Sequence, residues 1–215
     1  MAKTRSTSGR RPVNALTMVL LSDTHSLHRE LSMPYADILI HAGDICMLGD
    51  RGAIRDFNSW LGDLGYRHCI LVPGNHDGPI LEDPSLVSNA TVLINQGITI
   101  DGLRIWGTPG GVVVARSAEE RRRLYGMIPA DTDVLITHGP AYGTLDCSPG
   151  SGYPGGDREL KEAVERIRPR LHLCGHVHVG HGSLETEHTV YVNGALLSEF
   201  GDVNPQPLVM RMDRR

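Results

Sequence analysis

The sequence predicts an α/β fold, a four-layer sandwich in which two mixed sheets pack face to face between flanking helices. Three observations predict it. Short, continuous apolar runs recur along the chain and read as buried strands. In the first half they alternate with a helical pattern, the β-α-β order of a parallel sheet. In the second half a tight-turn hairpin and a closing group of strands add antiparallel pairing.

Taken in order, residues 16–21 form the first apolar run, 37–41 the second and 68–72 the third. Between the last two, Ile54, Phe57, Leu61 and Leu64 recur at helical spacing and give residues 52–64 one apolar face. Residues 98–100 and 103–106 flank Asp101-Gly102, a pair suited to a type I′ hairpin turn. A charged helix is expected over 118–125, a strand over 134–137, and a helix over 157–167 stopped by Pro169. Residues 171–174 are the next strand. Residues 182–185, 189–193 and 208–212 read as a closing antiparallel set. The segment 139–156, rich in Gly, Pro, Ser and Tyr, is expected to hang over the functional edge, with Tyr142 as a substrate contact; a plain surface connection is the alternative.

Two hundred and fifteen residues suit one domain, here 16–215, preceded by a disordered basic arm over 1–15 that carries Lys3, Arg5, Arg10 and Arg11. Hydrophobic content of 40% with two Phe and two Trp implies a core of Val, Leu, Ile and Ala. A formal charge of −4 lacks the basic excess of a nucleic-acid binder, so nucleic acid is not an expected partner. No run reaches the roughly 18–20 apolar residues of a membrane span. The N-terminal stretch has no apolar core of a secretory signal. Cys46, Cys69, Cys147 and Cys174 form no Cys-x-x-Cys pair, which argues against a thiolate zinc site and fits a reducing, cytoplasmic setting. The oligomeric state leaves no mark.

Five motifs carry the chemistry: Ser22-Asp23-Thr24-His25, Gly43-Asp44, Gly74-Asn75-His76-Asp77, Thr137-His138-Gly139 and Gly175-His176-Val177-His178. Each follows an apolar run, so the fold gathers their side chains at one sheet edge. Asp23 and His25 are one residue apart, and in extended backbone they point the same way, toward one ion. His176 and His178 repeat that spacing. Asn75 offers a neutral oxygen ligand, Gly74 lets the backbone bend, and His76 is available for acid–base work. Alone, Asp-x-His and Gly-Asp are weak, since a single Asp before a turn is commonly a cap, whereas Gly74-Asn75-His76-Asp77 is far more specific. Together they supply hard oxygen and borderline nitrogen donors for divalent ions such as Mn, Fe, Zn, Ni or Co. Two such ions about 3.5–4 Å apart can clamp a phosphoryl group and activate water.

With these five motifs in this order, the chain resembles the calcineurin-like metallophosphoesterase superfamily from about Thr17 onward. Residues 33–44 and 57–62 are most similar to the branch of the animal metallophosphoesterase-domain proteins, class III phosphodiesterase-like. The resemblance implies the calcineurin-like phosphoesterase fold and a dinuclear centre, manganese favoured. By motif, Asp23, His25 and His178 would hold one ion, and Asn75, His138 and His176 the other, with Asp44 bridging. His76 and Asn75 would contact substrate, and His76 would stabilise or protonate the leaving oxygen. Asp77 would orient His76, or else cap the following turn. Some animal members have Gly in the position of His176, so the second site is expected to be complete here. Purple acid phosphatases have a Tyr three residues after the bridging Asp; Met47 stands there, so no tyrosinate–iron centre is expected.

The implied activity is hydrolysis of phosphate esters by a hydroxide held between the ions. A small-molecule or cyclic-nucleotide phosphodiesterase is the leading expectation. A phosphomonoesterase, either a nucleotidase or a biosynthetic phosphatase, is the alternative, and a non-catalytic scaffold of the same fold is a third. Outside the motifs, His41 and His172 are expected to be structural. His181 reads either as support for a ligand or as a loop residue. His28 reads as structural before substrate-binding, and Arg116 with residues 121–123 as a solvated helix face before a phosphate clamp.

Overall fold

A computed structural model of the chain describes residues 15–115, 117–147, 154–197 and 206–214. The expected N-terminal arm, save Ala15, lies outside these residues, as do Arg116 and part of the 139–156 segment.

Strand β1 (Ala15–Leu21) pairs in parallel with β2 (Ile38–His41), which pairs in parallel with β3 (His68–Leu71). Helix α1 (Arg51–Leu64) makes the crossover between β2 and β3. Asp50 caps its first turn by accepting from the N–H groups of Gly52 and Ala53, and Gly65 ends it in left-handed backbone. A short helix α2 (Gly78–Glu82) follows the third motif, and β4 (Thr91–Val92) closes the edge beside β3.

The second sheet begins with β5 (Gln96–Ile100) and β6 (Leu103–Thr108), an antiparallel hairpin. Its turn residues Asp101 and Gly102 both have positive φ, the geometry a type I′ turn requires. After α3 (Gly111–Val114) and α4 (Ala118–Gly126) comes β7 (Val134–Thr137). Helix α5 (Arg158–Ile167) leads into β8 (Leu171–Cys174). It ends at Arg168, which turns left-handed one residue before Pro169. The chain finishes through β9 (Gly182–Glu185), β10 (Val190–Asn193) and β11 (Leu208–Asp213).

The sheets run in the orders β11-β1-β2-β3-β4 and β5-β6-β7-β8-β10-β9. Here the structure corrects the expected closing set. β9 is antiparallel to β10, but β10 is parallel to β8, and β11 crosses to pair antiparallel with β1 in the other sheet. Strand alternation sorts the layers. Leu16, Met18 and Leu20 face Ile105, Ile136 and Leu173 in the core between the sheets. Val19 and Leu21 point outward onto Ile54, Phe57 and Leu61 of α1. On the opposite outer face, Tyr125, Leu160 and Val164 cover Leu135. The four layers are therefore helix, sheet, sheet, helix, as the patterning predicts. Among the described residues, no helix is long and apolar enough to cross a membrane. Parallel strands put the carboxyl ends of β1, β2, β3, β7 and β8 on one edge, where the five motifs begin.

Candidate metal centre

At that edge the two sheets are stitched together by backbone. The N–H of Ser22 donates to Gly194 O at 2.7 Å, and Leu196 N–H donates to Ser22 O at 3.0 Å. Side chains from both sheets then converge into two overlapping groups. Asp23, His25 and His178 have nitrogen or oxygen atoms within 4.8 Å of one another, and so do Asp44, His138 and His176. Asp44 Oδ2 lies 3.8 Å from His25 Nε2 and 3.4 Å from His138 Nε2, so it stands between the groups. Asn75 Oδ1 is 2.9 Å from His138 Nε2. The structure thus brings together Asp23, His25, His178, Asp44, His138, His176 and Asn75.

These donors fit divalent cations. In the first group, Asp23 Oδ1 is buried and without a hydrogen-bond partner, with His25 and His178 Nε2 at 3.9 and 3.5 Å. Two ligands each about 2.1 Å from an ion sit roughly 3–4 Å apart, which matches this spread. His25 Nε2 and His178 Nε2 face each other at 3.4 Å, a contact that two lone pairs avoid unless a proton or a cation lies between them. In the second group, the His138 Nδ1–H donates to Ala42 O at 2.8 Å, which leaves Nε2 to bind. Asn75 and His176 are exposed whereas Asp23 and His25 are buried, so the second position is the open one.

The electrostatics point the same way. Burial works to raise the Asp23 carboxyl, but the His178 and His138 imidazoles hold it well below the usual carboxylate range. Burial also opposes Asp44, yet the contact with His138 keeps it low. His138 is buried too, and the carboxylates of Asp44 and Asp23 lift it to about 9. Burial pushes His25 and His176 down, toward the neutral form that binds metal.

The local backbone departs from the extended geometry expected for the paired ligands. Asp23, His25, Asp44 and His176 all have positive φ, between 40° and 66°. Asp23 and His25 therefore converge through a left-handed turn, and His176 and His178 fall in different groups. Gly74 is required for close approach, since a Cβ there would lie 2.2 Å from Asp44 Oδ1 and 2.5 Å from Asp44 N. The expectation that it bends the chain gives way to this packing reason.

His76 Nδ1 accepts the Leu48 N–H at 3.1 Å, so the ring proton sits on Nε2. The His76 ring stands 5.2 Å from that of His25, edge to face. Asp77 does not orient it. Its buried carboxylate accepts instead from the N–H groups of Asp44 at 2.7 Å, Gly74 at 2.9 Å and Ile45 at 3.0 Å. It fixes the loop that carries Asp44. The capping alternative fails as well, because its side chain makes no cap bond to α2.

Two further histidines serve this scaffold. The buried His41 accepts Gly43 N–H on Nδ1 and meets Thr24 Oγ1 at 3.1 Å, which braces the first two motifs. His172 meets Thr137 Oγ1 at 2.8 Å inside the second sheet. His28 is buried against Phe57 and Trp60, with Asp56 at 2.9 Å, the structural setting expected of it. Tyr142 is half-buried in the wall of a cleft of about 620 Å³ that also includes His176, Arg121 and Arg158. Arg121 is not simply solvated: it pairs with Glu159 at 3.1 Å and Asp157 at 3.5 Å. That pairing spans about 40 residues of sequence and leaves no local signal.

Comparison with known proteins bears on this geometry. The family described as calcineurin-like phosphoesterase matches residues 16–180. Metallophosphoesterase domain-containing protein 1 of Homo sapiens is 34% identical over 93% of this chain and 72% of its own length. Its counterpart in Mus musculus gives the same figures. A solved structure of a Thermus thermophilus protein, TT1561, shares the fold with a TM-score of 0.57 at 14% identity, covering 83% of this chain and 88% of its own. A second solved structure reaches 0.61 at 19% identity, covering 83% of this chain and 90% of its own.

Proposed function

The chain belongs to the calcineurin-like phosphoesterase family, a metal-dependent phosphoesterase, and from that premise we propose that it hydrolyses small-molecule phosphodiesters, cyclic nucleotides among them, with two divalent ions, manganese foremost. The observation that carries this reading is the Asp44 carboxylate, which stands between the two groups of donors that could each hold an ion. Asp23, His25 and His178 would hold the first ion; Asn75, His138 and His176 the second. Bound there, the ions would supply positive charge against the phosphoryl oxygens and lower the pKa of water.

The chain's own residues do the rest. The His76 Nε2–H, set by the Leu48 contact, is placed to donate to a phosphoryl or leaving oxygen. Asp77 and His41 hold the loops, so the ligands need little reorganisation when substrate arrives. Asn75 and His176 form the exposed rim, which fits approach from the second position. A diester carries two organic substituents, and the cleft beside His176 supports this reading by offering room for one of them.

The test is hydrolysis of bis-p-nitrophenyl phosphate and p-nitrophenyl phosphate by metal-stripped protein with Mn(II) restored. The expected result is Mn(II)-dependent turnover of the diester, lost in Asn75→Ala. Preference for the monoester would replace the diester reading with a phosphatase. Binding of two ions without turnover of either ester would favour the scaffold reading.

A further inference from the structure

Beside the metal centre, the cleft of about 620 Å³ shares a wall with the exposed ligand His176. Its volume suits a small organic group. Its charges are unequal in one respect only. The Asp157 carboxylate is committed to the first turn of α5, through the N–H groups of Glu159 and Leu160, and to the Tyr125 hydroxyl at 2.8 Å. Glu159 is held by Arg121 at 3.1 Å and by Arg122 at 3.5 Å. Arg121 is thereby neutralised. The Gly156 N–H is taken by Asp146. Arg158 differs: it is exposed, and it has no carboxylate at ion-pair distance among the described residues. Its guanidinium carbon lies 3.7 Å from the centroid of the Tyr142 ring. A guanidinium laid on an aromatic face is held by the ring while its edge N–H groups stay free, and that fork matches a carboxylate or phosphate.

We propose that this cleft seats the organic part of the ester, and that Arg158, positioned by Tyr142, selects substrates bearing a second negative charge there. The inference rests on the phosphoesterase reading above and adds a substrate class to it: a phosphate ester with a further carboxylate or phosphate on its organic part. Tyr142 supplies the platform and Arg158 the charge.

Two non-hydrolysable probes test it, phenylphosphonate and 4-carboxyphenylphosphonate, titrated calorimetrically into the full chain loaded with Mn(II). The 3-carboxy isomer runs alongside to allow for reach. The wild type is expected to bind a carboxylate-bearing probe about tenfold more tightly than phenylphosphonate, the scale of one charge-assisted contact. Arg158→Ala, at an exposed helix position, should erase that difference and leave phenylphosphonate binding within about twofold. Tyr142→Phe should keep the preference, and Tyr142→Leu should reduce it. No preference in the wild type, or a preference that survives Arg158→Ala, overturns the proposal while leaving the phosphoesterase reading intact. Failure of all three phosphonates to bind the Mn(II)-loaded protein would instead remove the parent reading, and this one with it.

Discussion

Asp77 illustrates how one buried side chain can shape a site through the backbone it holds. Its carboxylate accepts from four buried backbone N–H groups, those of Asp44, Ile45, Cys46 and Gly74. Asp77→Ala would strand them, and each orphaned donor costs about 1–3 kcal/mol. The expected outcome is a loss of roughly 3 kcal/mol or more in urea unfolding. The ion content by mass spectrometry should fall with it, because Asp44 loses its anchor. His76 is the opposite case. It is held by one N–H, from Leu48, and carries its proton toward the site. His76→Ala should keep both ions and lose about 10²–10⁴-fold in kcat, the range of a positioned acid–base group. Loss of ions in that variant would recast His76 as a ligand, which its place beside His25 and Asp44 permits geometrically.

At the scale of elements, each strand that carries a motif also carries constraints of its own. His41 on β2 and His172 on β8 are fully buried, and burial pushes each down to about 3 from an ordinary 6.5. Between those values the unfolded chain binds protons that the folded chain refuses. Stability therefore rises with pH through that window and levels above about 6.5. For each histidine the slope is about 1.4 kcal/mol per pH unit well inside the window. His172→Gln, which can still meet Thr137, should flatten the acid limb of the stability–pH curve by one proton; an unchanged slope would contradict its neutral burial. The strands themselves were legible because an apolar run such as 16–21 ends abruptly on Ser22-Asp23, and burial and chemistry change together there. The motifs named the residues that meet at the edge for the same reason. Alternation says that residues 208–212 form a strand but not which sheet receives it, so the crossing of β11 to β1 was hidden. Apart from Gly74, the partners of Asp77 lie about 30 residues upstream, and the left-handed φ of Asp23, His25, Asp44 and His176 has no glycine at those positions to announce it. Short-range pattern carries neither kind of information.

For the molecule as a whole, the centre is also a clasp between the two sheets. Asp23, His25, Asp44 and Asn75 follow strands of the first sheet, and His138, His176 and His178 follow strands of the second. Each donor group draws on both, so an ion in either position would tie one sheet to the other. Without ions, buried Asp23 and Asp44 rely on imidazoles for compensation, and His138 stays protonated to about 9 to provide it. A cation replaces that proton, so uptake at neutral pH should release protons, and buffers of different ionisation enthalpy will report the number calorimetrically. The same linkage sets the stability. An ion at a hundred times its Kd contributes about 2.7 kcal/mol, and two independent ions about twice that. In a domain of this size each kcal/mol moves Tm by about 2–4 °C. Chelation is therefore expected to lower Tm by roughly 10–20 °C, and Asp44→Asn to shrink that difference because it weakens both positions at once. A Tm that ignores chelator would mean that the sheets hold together through the apolar core alone, and that the convergent donors contribute chemistry without cohesion.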